Sequence, residues 1–264
     1  MKKFVQRLIS GTFVEPAIIR LYLFLIKCKL IEPISSAAHK NYLYDLQTTQ
    51  IMRKVLKRNT NCVDVGCHQG SILKQILRLS PAGLHFAFEP LPEMYADLNK
   101  KYGSNTNVRI FNCALSASIG EKHFQHVISN PGYSGFLRRT YDVPNAVVNQ
   151  IKVNTDLLDN IIPESIEIGF IKIDVEGAEL EVLQGSINTI RRCKPVIIFE
   201  HGLGAAEHYG TTPEKIYELI VHKIGLRLFR LDGWLRSNRT ATLDKFEFCR
   251  LFYSGEEFYF LAAN

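Results

Sequence analysis

From Asn61 onward, short apolar runs alternate with segments whose apolar residues recur at helical spacing. Cys62-Val-Asp-Val-Gly66 reads as a short strand, and Ser71 to Leu79 as a helix closed by Ser80-Pro81. Leu84 to Glu89 makes a second strand, Pro92 opens a helix running to about Tyr102, and Val108 to Asn112 makes a third strand. This β-α-β-α-β order predicts an α/β domain with a parallel, doubly wound sheet and right-handed crossovers. The rhythm breaks over residues 117 to 150, where Asn130-Pro-Gly132 and Tyr133-Ser-Gly135 lie in a stretch without a clear period, and a long irregular loop is expected. Strands resume at Ile168 to Val175 and Pro195 to Glu200, and a helix starts at Thr212-Pro213-Glu214 and runs to about Lys223. Leu226 to Leu231 and Phe258 to Ala262 are the last strands. No clear helical segment separates them, so they are expected to pair antiparallel. Residues 1 to about 58 read as a helical extension, with Tyr42 to Leu56 its second helix, which divides the chain into 1–58 and 59–264.

One strand breaks its own pattern. A central parallel strand, covered on both faces, should be nearly continuous Val, Ile and Leu. In Phe170-Ile-Lys-Ile-Asp-Val-Glu-Gly-Ala-Glu179, however, Lys172, Asp174 and Glu176 alternate with Ile171, Ile173 and Val175. Charges taken out of water must pair, bind metal or do chemistry, and ligands of open parallel sheets sit at the carboxyl ends of strands, where Asp174 and Glu176 fall. The next strand ends the same way, in Glu200-His201. Its neighbour would bring Asp174, Glu176, Glu200 and His201 around one substrate group. Histidine is the natural base by pKa, the carboxylates could orient it, and the same acids are hard oxygen ligands able to hold Mg²⁺. Lys172 is expected to pair with an acid inside the sheet.

A second feature is Val63-Asp-Val-Gly-Cys-His-Gln-Gly70, a strand-to-helix turn in which Gly66 and Gly70 let a ligand approach backbone N–H groups. It lacks the middle glycine of the dinucleotide fingerprint, which argues against a nucleotide-dependent oxidoreductase. Asp64 before the turn suits a ligand with an ammonium or sulfonium, and Glu89 at the end of the following strand suits the two hydroxyls of a ribose.

Charge narrows the partners. The first 60 residues carry a net +8 and the remaining 204 a net −2, so the basic character belongs to the extension and a nucleic-acid-binding main domain is disfavoured. The apolar run from Ala17 to Ile31 is interrupted by Arg20, Lys27 and Lys29, too charged for a membrane span, and no cleavage site follows. Residues 1–31 are expected to pack on the domain or to lie on an anionic membrane surface. Six cysteines without metal-ligand spacing read as free thiols of a cytoplasmic protein.

Taken together, these pieces resemble the class I S-adenosylmethionine-dependent methyltransferases, specifically the FkbM family, over roughly residues 60 to 263. The stretch Phe170 to Glu179 with Val182-Leu-Gln-Gly185 is similar to the family's most specific signature. Asn112-Cys-Ala-Leu-Ser116, Asn130-Pro-Gly-Tyr-Ser134 and Lys194 to Glu200 resemble its secondary blocks, and Cys67-His68 stands where the family usually has Ala-Asn. The resemblance implies a Rossmann-like, seven-stranded, mostly parallel sheet with its last strand antiparallel. It implies S-adenosylmethionine held by Asp64, Gly66, Gly70, Glu89, Asn112 and Ala114. It also implies methyl transfer to a hydroxyl of a sugar, glycan or natural product; the alternative is a catalytically degenerate fold serving as a binding module.

Overall fold

The computed structural model describes residues 36–139, 146–237 and 240–264. By proximity in space the chain divides into residues 1–46 and residues 47–264, with helix α1 (Ser36–Val55) running across the boundary. The expectation for residues 1–31 lies outside the described residues. Among those described, no helix is long and apolar enough to cross a membrane.

The second unit alternates as its sequence pattern predicts. β1 (Asn61–Val65), α2 (Ser71–Leu79), β2 (His85–Phe88), α3 (Pro92–Tyr102) and β3 (Val108–Phe111) follow one another. Beyond the middle of the chain come β7 (Ile168–Ile173), the helices Glu179–Gln184 and Ile187–Cys193, β8 (Val196–Glu200), β9 (Arg227–Arg230) and β10 (Tyr259–Ala263). They form one seven-stranded sheet in the order β3-β2-β1-β7-β8-β10-β9, parallel except for β10, which runs antiparallel to both neighbours. Its two apolar faces are buried separately. Val63, Phe88, Ile171, Ile173 and Phe199 pack on one side with Leu183, Ile190, Ile216 and Ile220. Ala87 packs on the other with Leu73 of α2 and Leu98 of α3.

Two expectations need correction. Residues 117–150 are not all irregular: β5 (Gly120–Val127) pairs antiparallel with β6 (Val148–Asp156), and β4 (Ala114–Leu115) joins β6 to make a separate three-stranded sheet. The period is faint because only Phe124 and Val127 of β5 are buried, among Glu121, Lys122, His123, Gln125 and His126. The last two strands do pair antiparallel, but two short helices, Leu231–Arg236 and Lys245–Tyr253, lie between them. Their aromatic residues fall on both faces, Trp234, Phe248 and Phe252 buried but Phe246 and Tyr253 exposed, which masks a helical period.

Register sets the site. Ile173 lies level with Val65 and Phe199, so the following residues Gly66, Asp174 and Glu200 fall in one row, which Tyr259 extends by pairing with Glu200. Two residues earlier Lys172 lies level with Asp64.

Candidate functional site

The row of strand ends opens into a cleft. Its floor is Val65, Gly66, Phe88 and Glu89, one wall is Asp174, Val175, Glu176 and Ala178, and the other is built by Pro131, Gly132, Ser134 and Phe136 together with Ala114 and Phe124 of the smaller sheet. The wall at 131–136 is tied down: Gly135 pairs with Gln125, Ser134 Oγ accepts the Val127 N–H, and Tyr209 Oη accepts the Leu137 N–H at 3.0 Å. The Tyr209 ring fits only because Gly177 has no side chain; a Cβ there would meet it at 2.7 Å.

Glu89 is fixed by backbone hydrogen bonds. It is buried, and its two oxygens each accept one backbone N–H, from His68 at 2.8 Å and from Leu91 at 3.0 Å. Burial raises its pKa, while those N–H groups pull it back. A carboxylate has about four acceptor sites, so two remain for a ligand in the cleft that Glu89 lines.

Opposite Glu89 is a buried charge network. Lys172, with 5% of its side chain exposed, donates from Nζ to Asp174 Oδ2 at 2.9 Å and lies 4.6 Å from the centre of the Tyr259 ring. The Tyr259 hydroxyl donates to the same oxygen at 2.5 Å. Burial would raise Asp174, but Lys172 and hydrogen bonds from Glu200 and Tyr259 bring it down to about 2. Glu200 moves the other way, driven well above the carboxylate range by burial and by the Asp174 charge beside it. The two carboxyls are thus driven apart, Asp174 toward its ionised form and Glu200 toward its protonated form. Glu176, left-handed at φ 57°, forms an ion pair with Arg139, whose guanidinium lies over the Tyr133 ring.

One oxygen each of Asp174, Glu176 and Glu200 comes within 4.8 Å of the others, a spacing that admits a cation. The donor set argues against Mg²⁺: Asp174 is engaged by Lys172 and Tyr259, Glu200 is driven toward its protonated form, and Glu176 faces Arg139. Two cations of the protein already balance two carboxylates.

The structure separates the sequence candidates. Gly66, Glu89, Ala114, Asp174 and Glu176 line the cleft, with Glu200 directly behind Asp174. Asp64, Gly70 and Asn112 do not line it. Asp64 is buried, pushed up to about 7 by burial against the pull of Lys172, and accepts the Leu73 N–H at the start of α2. Gly70 makes room for Leu98 and Tyr102, while Gly66 makes room for the Asp174 carbonyl, which a Cβ would meet at 1.9 Å. Asn112 donates from Nδ2 to the Glu89 and Pro90 carbonyls and so fixes the loop that carries Glu89. His201 is fully buried away from the cleft, stacked on Phe252 at 4.4 Å and Phe248 at 6.1 Å, with no partner for either ring nitrogen among the described residues; burial lowers it to about 3. His68, Tyr259 and Arg139 were not picked out as site residues. Tyr259 could have been found from its place level with Glu200 on an antiparallel neighbour.

Comparison with known proteins places the chain in a family. Two curated relatives match: the 2-O-methyltransferase NoeI of Sinorhizobium fredii, 29% identical over 55% of this chain, and Methyltransferase sdnD of Sordaria araneosa, 27% identical over 49%. The matches span 65% and 61% of those proteins' own length. A solved FkbM methyltransferase from Methylobacillus flagellatus KT superposes with a TM-score of 0.48 at 14% identity, covering 78% of this chain and 44% of that one. Residues 64–227, which carry the glycine turn, Glu89 and the charged strand end, match the Methyltransferase FkbM domain over more than half of the chain, and the protein belongs to that family.

Proposed function

We propose that this protein transfers the methyl group of S-adenosylmethionine to a hydroxyl of a sugar, glycan or other natural product. The observation that carries the reading is the pairing of two strand-end carboxylates across one cleft: Glu89, with two acceptor sites to spare, and Asp174, held ionised by Lys172. Glu89 suits the vicinal hydroxyls of a ribose. When bound, the cofactor supplies a methyl group on a sulfonium, an electrophile that needs only an aligned acceptor oxygen. Asp174 is suited to orient that oxygen by accepting the hydroxyl hydrogen bond. A hydroxyl whose oxygen is donating a lone pair becomes strongly acidic, so even a carboxylate brought down to about 2 can take its proton. Lys172, Tyr259 and Glu200 fix the Asp174 rotamer, and Arg139 holds Glu176 at the mouth. The name of the 2-O-methyltransferase NoeI supports a hydroxyl acceptor.

Titration calorimetry with S-adenosylmethionine tests this assignment. Glu89→Ala is expected to weaken binding by about 1–3 kcal/mol, the cost of charged hydrogen bonds left unmade, and Asp174→Asn to leave it nearly unchanged while abolishing turnover. Unaltered affinity in Glu89→Ala removes the ribose assignment.

A further inference from the structure

The cleft contains one polar group that nothing so far employs. His68 lines it, yet its Nε2 is buried and finds no hydrogen-bond partner among the described residues. Buried polar atoms are rarely left unmatched, and an orphan in a ligand cleft points to a partner that arrives with the ligand. The backbone adds to this. His68 is left-handed at φ 48°, a region few non-glycine residues occupy, and its N–H is anchored on Glu89 Oε2 at 2.8 Å. The turn therefore anchors the His68 backbone on the carboxylate proposed to hold the ribose, with its ring in the same cleft.

The surroundings choose the chemistry of the missing partner. Glu89, Asp174, Glu176 and Cys113 line the same cleft and Asp64 lies just before the turn; Lys172 and Arg139 pair with Asp174 and Glu176, which leaves Glu89, the acceptor of the His68 N–H, without a cationic partner among the described residues, so a hydrogen-bond donor is favoured there over an anion. Burial lowers the His68 pKa against the opposing pull of Asp174, which leaves a neutral ring with a lone pair. We infer that His68 is a second ligand-binding residue, its Nε2 accepting a hydrogen bond from a hydroxyl of the cofactor seated on Glu89. This rests on the S-adenosylmethionine reading above.

Calorimetry of the full chain with S-adenosylhomocysteine tests it at pH 8 and pH 5. His68→Ala is expected to weaken binding at pH 8 by about three- to ten-fold, the loss of one hydrogen bond, with His68→Gln, whose amide reaches the same point, recovering most of it. Wild-type affinity should fall between pH 8 and pH 5 by more than that of His68→Ala, because the lowered ring is protonated only toward the acid end and a protonated ring cannot accept; the variant's own slope subtracts the carboxylates. Thermal melting of each variant establishes that it is folded. Equal affinity in a folded His68→Ala overturns the inference and leaves the cofactor reading standing. Wild-type binding that tightens toward pH 5 also overturns it, since the ring would then be pairing with an anionic group. Wild-type protein that binds no S-adenosylhomocysteine overturns the cofactor reading itself.

Discussion

Replacing Lys172 by methionine removes the cation that organises the acidic strand ends while keeping the apolar volume. Lys172 is buried and bridges Asp174, Tyr259 and the neighbourhood of Asp64. The fall of Asp174 from 3.8 to about 2, to which Lys172 contributes most alongside Glu200 and Tyr259, corresponds to roughly 2 kcal/mol, which the 31% exposure of its side chain reduces to about 1–2 kcal/mol. Breaking a buried pair also strands the remaining carboxylates, so the total loss at pH 8 is expected near 3–5 kcal/mol. The pH dependence has a definite sign. In the wild type the depressed Asp174 contributes stability that is present above 3.8 and lost as pH falls toward 2. In Lys172→Met the uncompensated acids are raised instead, so their folded forms are easiest to maintain at low pH and become costly as pH rises. The deficit measured by urea denaturation should therefore shrink by at least ~1 kcal/mol between pH 8 and pH 5. A deficit below about 1 kcal/mol at pH 8, or one of equal size at both values, refutes this account of the network.

Two further expectations follow from the same geometry. His201 is lowered to about 3 by burial from an ordinary 6.5, so its neutral form adds stability that is present above 6.5 and lost as pH falls toward 3; His201→Phe should be more stable than wild type at pH 4.5 by about 2–3 kcal/mol and nearly equal at pH 8, by denaturant titration. Because Lys172 and Arg139 already neutralise the acidic strand ends, methyl transfer should be indifferent to chelator; activity lost to EDTA and restored by Mg²⁺ would show that the cluster binds metal.

The parts of this fold that were legible in the sequence are those where burial dictates period. The parallel strands read as apolar runs, and the charges at Asp174 and Glu200 stood out against them because a covered strand has no ordinary use for carboxylates. The hairpin of β5 and β6 was hidden because most of its side chains are at least partly exposed, which leaves Phe124 and Val127 of β5 and Val153 and Thr155 of β6 as its buried residues. His201 shows a different limit. It adjoins Glu200 in the chain, but successive residues along extended backbone project to opposite faces, so closeness in sequence put it in an aromatic core instead of the cleft. The glycines of the turn answer to packing that the sequence does not display: Gly66 is demanded by the Asp174 carbonyl, a contact that only the register of β1 and β7 reveals, and Gly70 by Leu98 and Tyr102.

The central claim is that Glu89 and Asp174 face each other across a cleft that brings a methyl donor to a hydroxyl. The most direct test is to incubate the full chain with S-adenosylmethionine carrying a ¹³C-methyl group and an extract of cellular small molecules and glycans, then to locate the label by mass spectrometry. The account predicts label in a methyl ether of a hydroxylated compound, formed by the wild type and absent with Asp174→Asn. Label appearing on nitrogen or carbon, or undiminished label with Asp174→Asn, would contradict it.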